Sequence, residues 1–184
     1  LGWLSTGDGN DQFKAGKYAQ GSSTHFAVGI LHDTGGKEDY SVEQEIGIGH
    51  GHDFSVGFLL DDAGDDTYHA PNFSLGCASG QGIGIFWDRA GNDTYESKEK
   101  EVLGCASLRI EPPSLRYMAR TIGLFMDTGG KNDFRLPGAG VEGKISSRKW
   151  LKPPLDFPKR QNQMKKNMIG LGLIVDDPKT ANPL

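Results

Sequence analysis

Aspartates recur in tight turns along this sequence, at spacings that would bring their carboxylates together. The leading acids of successive turns are separated by 28, 27 and 39 residues, and several turns carry a second acid near their end. Carboxylates stacked about 5 Å apart repel one another unless a cation neutralises them. Calcium binds six to eight oxygen ligands of this kind. The sequence therefore predicts calcium ligands at Asp11, Asp33, Asp61, Asp66, Asp88, Asp93 and Asp127. The alternative is that Asp, Asn and Gly serve only the conformation of tight turns.

The turn sequences resemble the calcium-binding repeat of the RTX proteins over about seven residues. Residues 7–13 read GDGNDQF, residues 63–68 read AGDDTY and residues 90–95 read AGNDTY, against the RTX unit G-G-x-G-x-D-x followed by a large apolar residue. The resemblance implies calcium binding, most directly by Asp11, Asp66 and Asp93. Two further turns carry Glu38 and Asn132 at the same position.

The turns close units of about 27 residues, which identifies a tandem repeat. Such repeats are typical of stacked units that each contact mainly their neighbours, as in bacterial-type solenoid proteins. We predict an all-β fold, a parallel β-solenoid or β-helix with irregular insertions; an antiparallel hairpin meander is the alternative. An aromatic residue follows each turn, which favours the solenoid because only there would these rings stack one strand apart. The ladder would consist of Phe13, Tyr40, Tyr68, Tyr95 and Phe134.

The strand before each turn is apolar in both of its alternating rows. One row, such as Val56-Phe58-Leu60, is predicted to face the interior. The other row begins with glycine and is predicted to form an outer face that needs a cover. The cover would be the chain's own residues 135–170, an identical chain or a different protein. The interface candidates in this row are Leu4, Leu31, Leu59, Phe86, Phe125 and Ile174.

The interruptions of the repeat define the predicted organisation of the chain. Residues 1–134 form the repeat solenoid, with an insertion at about 96–120. Residues 135–170 form an irregular basic insertion, and residues 171–184 form a degenerate capping repeat that loses its glycine turn to Pro178. The first residues match the middle of a unit, so we expect missing repeats before them.

Two pairs of residues outside the turns are candidates for a bond or a metal. Cys77 and Cys105 occupy equivalent places in successive units, which is compatible with a disulfide or with two buried thiols. His50 and His52 would share one face of a strand and could bind a metal together with Asp53, or could simply belong to a surface loop.

Charge and motif content narrow the function classes. Residues 1–100 hold 16 acidic and 6 basic residues, whereas residues 101–184 hold 8 and 14, so a basic tail follows acidic repeats. No apolar run approaches the roughly 18 residues that a transmembrane helix needs, and nucleophile-elbow, P-loop and zinc-protease motifs are absent from the sequence.

Because the acids recur in every copy, structural roles are favoured over catalytic ones. We therefore expect a structural or interaction module of a larger exported, extracellular or cell-surface protein, with a protein partner or a second copy as the ligand. The alternative is a polysaccharide-binding or polysaccharide-cleaving β-helix that uses the face built from the insertions. Nucleic-acid binding by the basic tail is the least favoured reading.

Overall fold

The computed structural model describes residues 1–107, 120–137, 149–151 and 170–176. In these ranges the chain forms strands and no helices, and the strands stack into a parallel β-solenoid of about four turns spaced about 27 residues apart. The predicted fold is confirmed, and the hairpin meander is wrong. No segment of the described ranges makes a helix with the length and apolar character needed to cross a membrane.

Three parallel sheets form the faces of the solenoid, and we number the strands in chain order. Sheet 1 has the order β1 (Gly2–Ser5), β5 (Val28–Asp33), β9 (Val56–Asp61), β12 (Ile83–Asp88), β15 (Thr121–Asp127), β18 (Gly170–Asp176) and β17 (Lys149–Leu151), the last strand being antiparallel. Sheet 2 contains β3 (Gln12–Ala15), β7 (Asp39–Val42), β10 (Thr67–His69), β13 (Thr94–Glu96) and β16 (Asp133–Arg135). Sheet 3 contains β4 (Ser23–Thr24), β8 (Gly51–His52), β11 (Ala78–Ser79) and β14 (Ala106–Ser107).

The turn between sheet 1 and sheet 2 is the repeated motif of the sequence. The short strands β2 (Asp8–Gly9) and β6 (Gly35–Gly36) pair there, so this corner is itself stacked. Register is strict across the coils: Asp33 lies opposite Asp61, Asp61 opposite Asp88, and Asp88 opposite Asp127. Each repeat position therefore becomes a column that runs along the solenoid.

The predicted aromatic ladder is present. The rings of Phe13, Tyr40, Tyr68, Tyr95 and Phe134 stack in order, with centroid separations of 4.8, 4.8, 5.0 and 4.9 Å. Phe86 and Phe125 meet this ladder edge-on from sheet 1. Stacked and edge-to-face aromatic pairs contribute about 0.5–1.5 kcal/mol each beyond burial. The core therefore lies between sheets 1 and 2.

The two rows of the sheet 1 strands face in the opposite directions from those predicted. Leu31, Leu59, Phe86 and Phe125 are 0–2% exposed and belong to the core, so these four interface candidates are wrong as surface residues. The predicted interior row is the outward one and is only partly buried. Leu4 is 51% exposed, and it lies in β1, one of the two edge strands of sheet 1. Ile174 lies in β18, and its side chain is outside the described part of the structure.

Glycine explains the reversal. The inward row begins with glycine because the backbone directly before the sheet 3 strands runs close behind it: a Cβ on Gly57 would lie 2.1 Å from the His50 carbonyl oxygen, and one on Gly84 would lie 1.9 Å from that of Cys77. No side chain fits at that distance. The glycine column therefore lies in the interior of the solenoid, where sheet 1 comes closest to the backbone before sheet 3. It is not a flat outer packing surface.

Cys77 and Cys105 are joined by a disulfide bond in the structure, with their Cα atoms 4.3 Å apart. The bond links two successive coils beside the paired strands β11 and β14. Most of the predicted insertions, 108–119, 138–148 and 152–169, and the end of the predicted cap, 177–184, lie outside the described residues.

Candidate metal centre

Among the described residues, carboxylates converge in three successive groups at the corner between sheets 1 and 2. Within each group, three carboxylate oxygens from different residues lie within 4.8 Å of one another. Every group combines the closing acid of one turn with the opening and closing acids of the next turn. The groups are Asp11, Asp33 and Glu38; then Glu38, Asp61 and Asp66; then Asp66, Asp88 and Asp93. The strict register of the coils thus turns a sequence repeat into a row of identical ligand sets.

Local turn chemistry aims these side chains inward. Asp33 Oδ1 accepts a hydrogen bond of 2.9 Å from the backbone N–H of Gly35, which bends the chain immediately after the strand. Gly64 leaves room for the carboxylates, because a Cβ there would lie 2.7 Å from Asp66 Oδ1 and 2.6 Å from the carbonyl oxygen of Gly36. Its φ of 158° also lies outside the usual range of other residues.

The closing acids hold the coils together through one oxygen each. Asp66 Oδ1 accepts a hydrogen bond of 2.7 Å from the N–H of Glu38, and Asp93 Oδ1 accepts one of 2.9 Å from the N–H of Asp66. In each pair the acceptor belongs to the coil that follows the donor. These bonds leave the second carboxylate oxygen of each residue facing the corner.

Those second oxygens are buried, and no backbone N–H, side-chain N–H or alcohol hydroxyl among the described residues satisfies them. They are Glu38 Oε2, Asp66 Oδ2, Asp88 Oδ1 and Asp93 Oδ2, on residues that are 0–1% exposed. Glu38 and Asp66 can form a hydrogen bond with each other only when one of the two carboxyl groups is protonated. Asp61 Oδ1 is also buried without a donor in hydrogen-bonding geometry, and the backbone amide of Ala63 lies near this carboxylate. Buried polar atoms are nearly always paired, and an unpaired charged one is very costly. The corner therefore lacks a partner for several oxygens.

The opening acids are anchored from the other side by tyrosine hydroxyls of the aromatic ladder. Tyr68 Oη donates to Asp88 Oδ2 at 2.8 Å and contacts Asp61 Oδ2 at 3.3 Å. Tyr40 repeats the arrangement with Asp61 at 2.7 Å, and Tyr95 repeats it with Asp127 at 2.7 Å. Each tyrosine thus fixes one oxygen of an opening acid and leaves the other toward the corner.

Burial makes these acids weak. It raises the pKa of Glu38 to about 8, with the neighbouring Asp66 as the next cause. Burial likewise raises the pKa of Asp61 to about 7 and that of Asp93 to about 8. The pKa values of Asp66 and Asp88 are raised for the same reason, and Asp93 and Asp127 add like-charge repulsion at Asp88. Without a cation, the corner holds protons near neutral pH.

The ligand sets fit a hard divalent cation. They contain carboxylate oxygens and lack sulfur or imidazole, which excludes a typical zinc or copper site. Oxygen atoms on opposite sides of a calcium ion lie about 4.6–5.2 Å apart, because calcium–oxygen distances are about 2.3–2.6 Å. The separations within each group are compatible with that coordination. Magnesium requires a tighter octahedron and retains most of its water, which a corner this buried does not favour.

The groups contain six of the seven predicted calcium ligands: Asp11, Asp33, Asp61, Asp66, Asp88 and Asp93. Asp127 is in register with them but is not part of a group within the part of the chain that the structure describes. Glu38, which departs from the RTX-like pattern, belongs to two groups. Its position in the turn alignment is the signal that could have identified it. The tyrosine hydroxyls were also missed, because sequence indicated only their aromatic rings.

His52 lies in β8 of sheet 3, and His50 directly precedes that strand. His50 Nε2 and His52 Nδ1 both contact the Ser79 hydroxyl oxygen, at 3.0 and 2.7 Å. His50 is buried, which together with the nearby His52 lowers the pKa of His50 to about 3. Neither histidine belongs to a potential ligand group in the described ranges, and the metal hypothesis for them stays a prediction.

A cleft of about 780 Å³ opens beside sheet 2. Its lining includes Glu43, Glu45, Glu96 and Glu99 together with His69 and Arg135. His69 lies between two acids, with Nδ1 3.1 Å from Glu96 and Nε2 3.6 Å from Asp39.

Comparison with known proteins identifies no relative. The chain matches no protein-family model, no curated protein and no solved structure. Functional inference therefore rests on the geometry of the corner.

Proposed function

We propose that this chain is a structural repeat module whose stacked turns bind calcium, and that calcium is what makes the acidic corner of the solenoid stable at neutral pH. The observation that supports it is the row of buried carboxylate oxygens without donors in the second and third ligand groups. A divalent cation supplies the missing partner for several of these oxygens at once. The local likeness of the turns to RTX repeats is in keeping with this choice of metal.

The proposal assigns the acids a structural role. The same two positions, an opening acid and a closing acid, recur coil after coil, and six of the seven carboxylates in the groups also bond the backbone or a ladder tyrosine. Groups that are tied into the fold in this way hold coils in register. Placing the protein outside the cell, where calcium is abundant, belongs to the same proposal.

Calorimetric titration tests the calcium site. The full chain is stripped with a chelator and titrated with calcium chloride, and separately with magnesium chloride. We expect saturable heat with calcium, and weaker or no heat with magnesium. Terbium, which replaces calcium, should luminesce when tyrosine is excited, because Tyr68 contacts two of the ligand residues.

The matched variants for this titration are Asp66→Asn and Asp65→Asn. Asp66 belongs to two ligand groups, whereas its neighbour Asp65 is exposed and bonds Asn92 outside them. Asp66→Asn should reduce calcium binding and terbium emission, and Asp65→Asn should leave both unchanged. Absence of calcium binding by the wild-type chain would end the proposal.

The surface to which the predicted protein–protein interaction was assigned is buried in the structure. The predicted contact row is in the core at Leu31, Leu59, Phe86 and Phe125. A protein partner therefore stays a prediction without an assigned face.

A second candidate, glycan binding, is favoured by the cleft beside sheet 2. Part of its lining, Glu96 to Glu99, is the start of the insertion to which the polysaccharide alternative was assigned. Its acidic lining suits a neutral or cationic glycan better than an acidic one. Titration with chitosan oligosaccharides tests it, with His69→Ala as the cleft variant; binding that His69→Ala leaves unchanged, or no binding, would reject the cleft as the site.

A further inference from the structure

The three ligand groups are not separate sites, because neighbouring groups share a residue. Glu38 belongs to the first and second groups, and Asp66 belongs to the second and third. Sharing follows from the fold: the closing acid of each turn lies between the opening acid of its own coil and that of the next coil. Neighbouring cations would therefore lie about one coil spacing apart, roughly 4.8 Å.

We infer that three divalent cations bind in single file along this corner, bridged by Glu38 and Asp66, and that Asn132 ends the file. The inference rests on the proposed calcium function. It adds the number of bound ions, the residues that bridge them and the residue at which the row of ions ends. It makes Glu38 and Asp66 different from the other ligands, because each of them holds two cations.

Charge balance supports three cations. The groups contain seven different carboxylates, Asp11, Asp33, Glu38, Asp61, Asp66, Asp88 and Asp93. Three divalent cations nearly neutralise them, leaving one negative charge. Two like-charged cations at this separation repel strongly, and a carboxylate placed between them offsets that repulsion. With fewer cations, several buried carboxylates would have to keep protons.

The next set along the corner repeats the hydrogen-bond pattern, but its closing residue is Asn132, which carries no charge. Asn132 Oδ1 accepts a hydrogen bond of 3.0 Å from the N–H of Asp93, just as Asp93 Oδ1 accepts one from Asp66. Asp127 accepts from Tyr95 as Asp88 accepts from Tyr68. The closing residue is an amide here, so the described residues supply two carboxylates to this set and three to each of the others. A fourth divalent cation would be one ligand charge short.

Counting the bound ions tests the inference. Native mass spectrometry of the full chain, loaded with calcium and exchanged into volatile buffer, reports the number of ions per molecule. We expect three for the wild type. Asp66→Asn should lose two ions, Asp11→Asn should lose one, and Asn132→Asp should gain a fourth. Asp65→Asn is the control and should keep three.

Each result decides a different claim. A wild-type chain that binds no calcium rejects the proposed function itself. Calcium binding with a count other than three, or with one ion lost in both Asp66→Asn and Asp11→Asn, rejects the shared file. A count of three for Asn132→Asp rejects Asn132 as its end. Asn132→Asp adds a ligand, so an increase in its ion count cannot result from a destabilised fold. Circular dichroism verifies that every variant is folded.

Discussion

At the scale of single residues, Asp66, Asp88 and Asp93 each have two functions. One carboxylate oxygen accepts a hydrogen bond from the backbone or from a ladder tyrosine, and the other oxygen faces the corner. An ordinary turn aspartate needs only the first function. The second oxygen is what distinguishes a ligand from a turn residue, and it is visible only when the hydrogen bonds are counted in three dimensions.

The raised pKa values predict how stability depends on pH when cations are removed. Folding raises the pKa of Glu38 from 4.5 to about 8, that of Asp61 from 3.8 to about 7 and that of Asp93 from 3.8 to about 8. The folded state thus binds these protons more tightly than the unfolded state. The resulting stabilisation is complete below about pH 4 and is lost as pH rises through about 8.

Chemical denaturation of the chelator-treated chain across this pH range provides the check. The free energy of unfolding should fall as the pH rises, and calcium should restore it at the alkaline end. Glu38→Gln should make the chelator curve shallower. A stability that rises with pH in chelator would contradict these pKa directions.

Tyr68 connects the aromatic ladder to the ligands, and its hydroxyl can be removed alone. In Tyr68→Phe the ring still stacks, but Asp88 Oδ2 loses its 2.8 Å hydrogen bond in a buried setting. We expect a loss of about 1–3 kcal/mol in the free energy of unfolding. Tyr18→Phe, at an exposed ring, should change it by less than about 0.5 kcal/mol. Equal losses in the two variants would show that the hydroxyl of Tyr68 has no special role.

At the scale of elements, the inward-facing residues of one sheet 1 strand lie in three different interior surroundings. In β9 that row is Gly57, Leu59 and Asp61. Gly57 meets the backbone that precedes the sheet 3 strands, Leu59 belongs to the aromatic core and Asp61 lies at the carboxylate corner. The opposite row is apolar but only partly buried. Both rows being apolar is why alternation could not assign the faces.

Adjacent leucines of β9 test the corrected orientation with identical chemistry. Leu59 is 0% exposed and Leu60 is partly exposed. Leu59→Ala should cost about 2–5 kcal/mol through the cavity it leaves. Leu60→Ala should cost about 1 kcal/mol. Equilibrium denaturation of both variants measures the difference, and a greater cost for Leu60→Ala would restore the orientation expected from sequence.

Sequence was sufficient for those features that depend on period alone. The unit length predicts the coil, and the aromatic at each turn exit predicts the ladder, because stacked parallel strands place equivalent residues above one another. Six of the predicted ligands converge for the same reason.

Two features needed coordinates. The direction of the glycine row depends on how closely the backbone before the sheet 3 strands approaches sheet 1, which no local sequence pattern reports. The role of Glu38 depends on the reach of its longer side chain between two coils. The RTX-like motif requires Asp at this position and therefore excluded Glu38, although the turn alignment places Glu38 at the position of the closing acid.

At the scale of the whole molecule, equivalent residues of successive coils form columns, and the candidate metal centre is one of these columns instead of a single pocket. Hydrophobic, aromatic and carboxylate columns run side by side along the stack, and the Cys77–Cys105 disulfide ties two coils together. Stability in such a stack is close to a sum of coil terms and neighbour terms. A file of cations that bridges coils adds to the neighbour terms, and so it couples the turns to one another.

Thermal unfolding of the full chain in calcium and in chelator, at about pH 8 where Glu38 and Asp93 begin to lose their protons, tests the central claim most directly. Saturating three sites at about 100 times their dissociation constants would contribute about 8 kcal/mol. For a chain of this size, that corresponds to a rise in melting temperature on the order of 15–30 °C. We predict such a rise with calcium, a smaller one for Asp66→Asn and an unchanged one for Asp65→Asn. The same melting temperature in calcium and in chelator would contradict a solenoid ordered by cations.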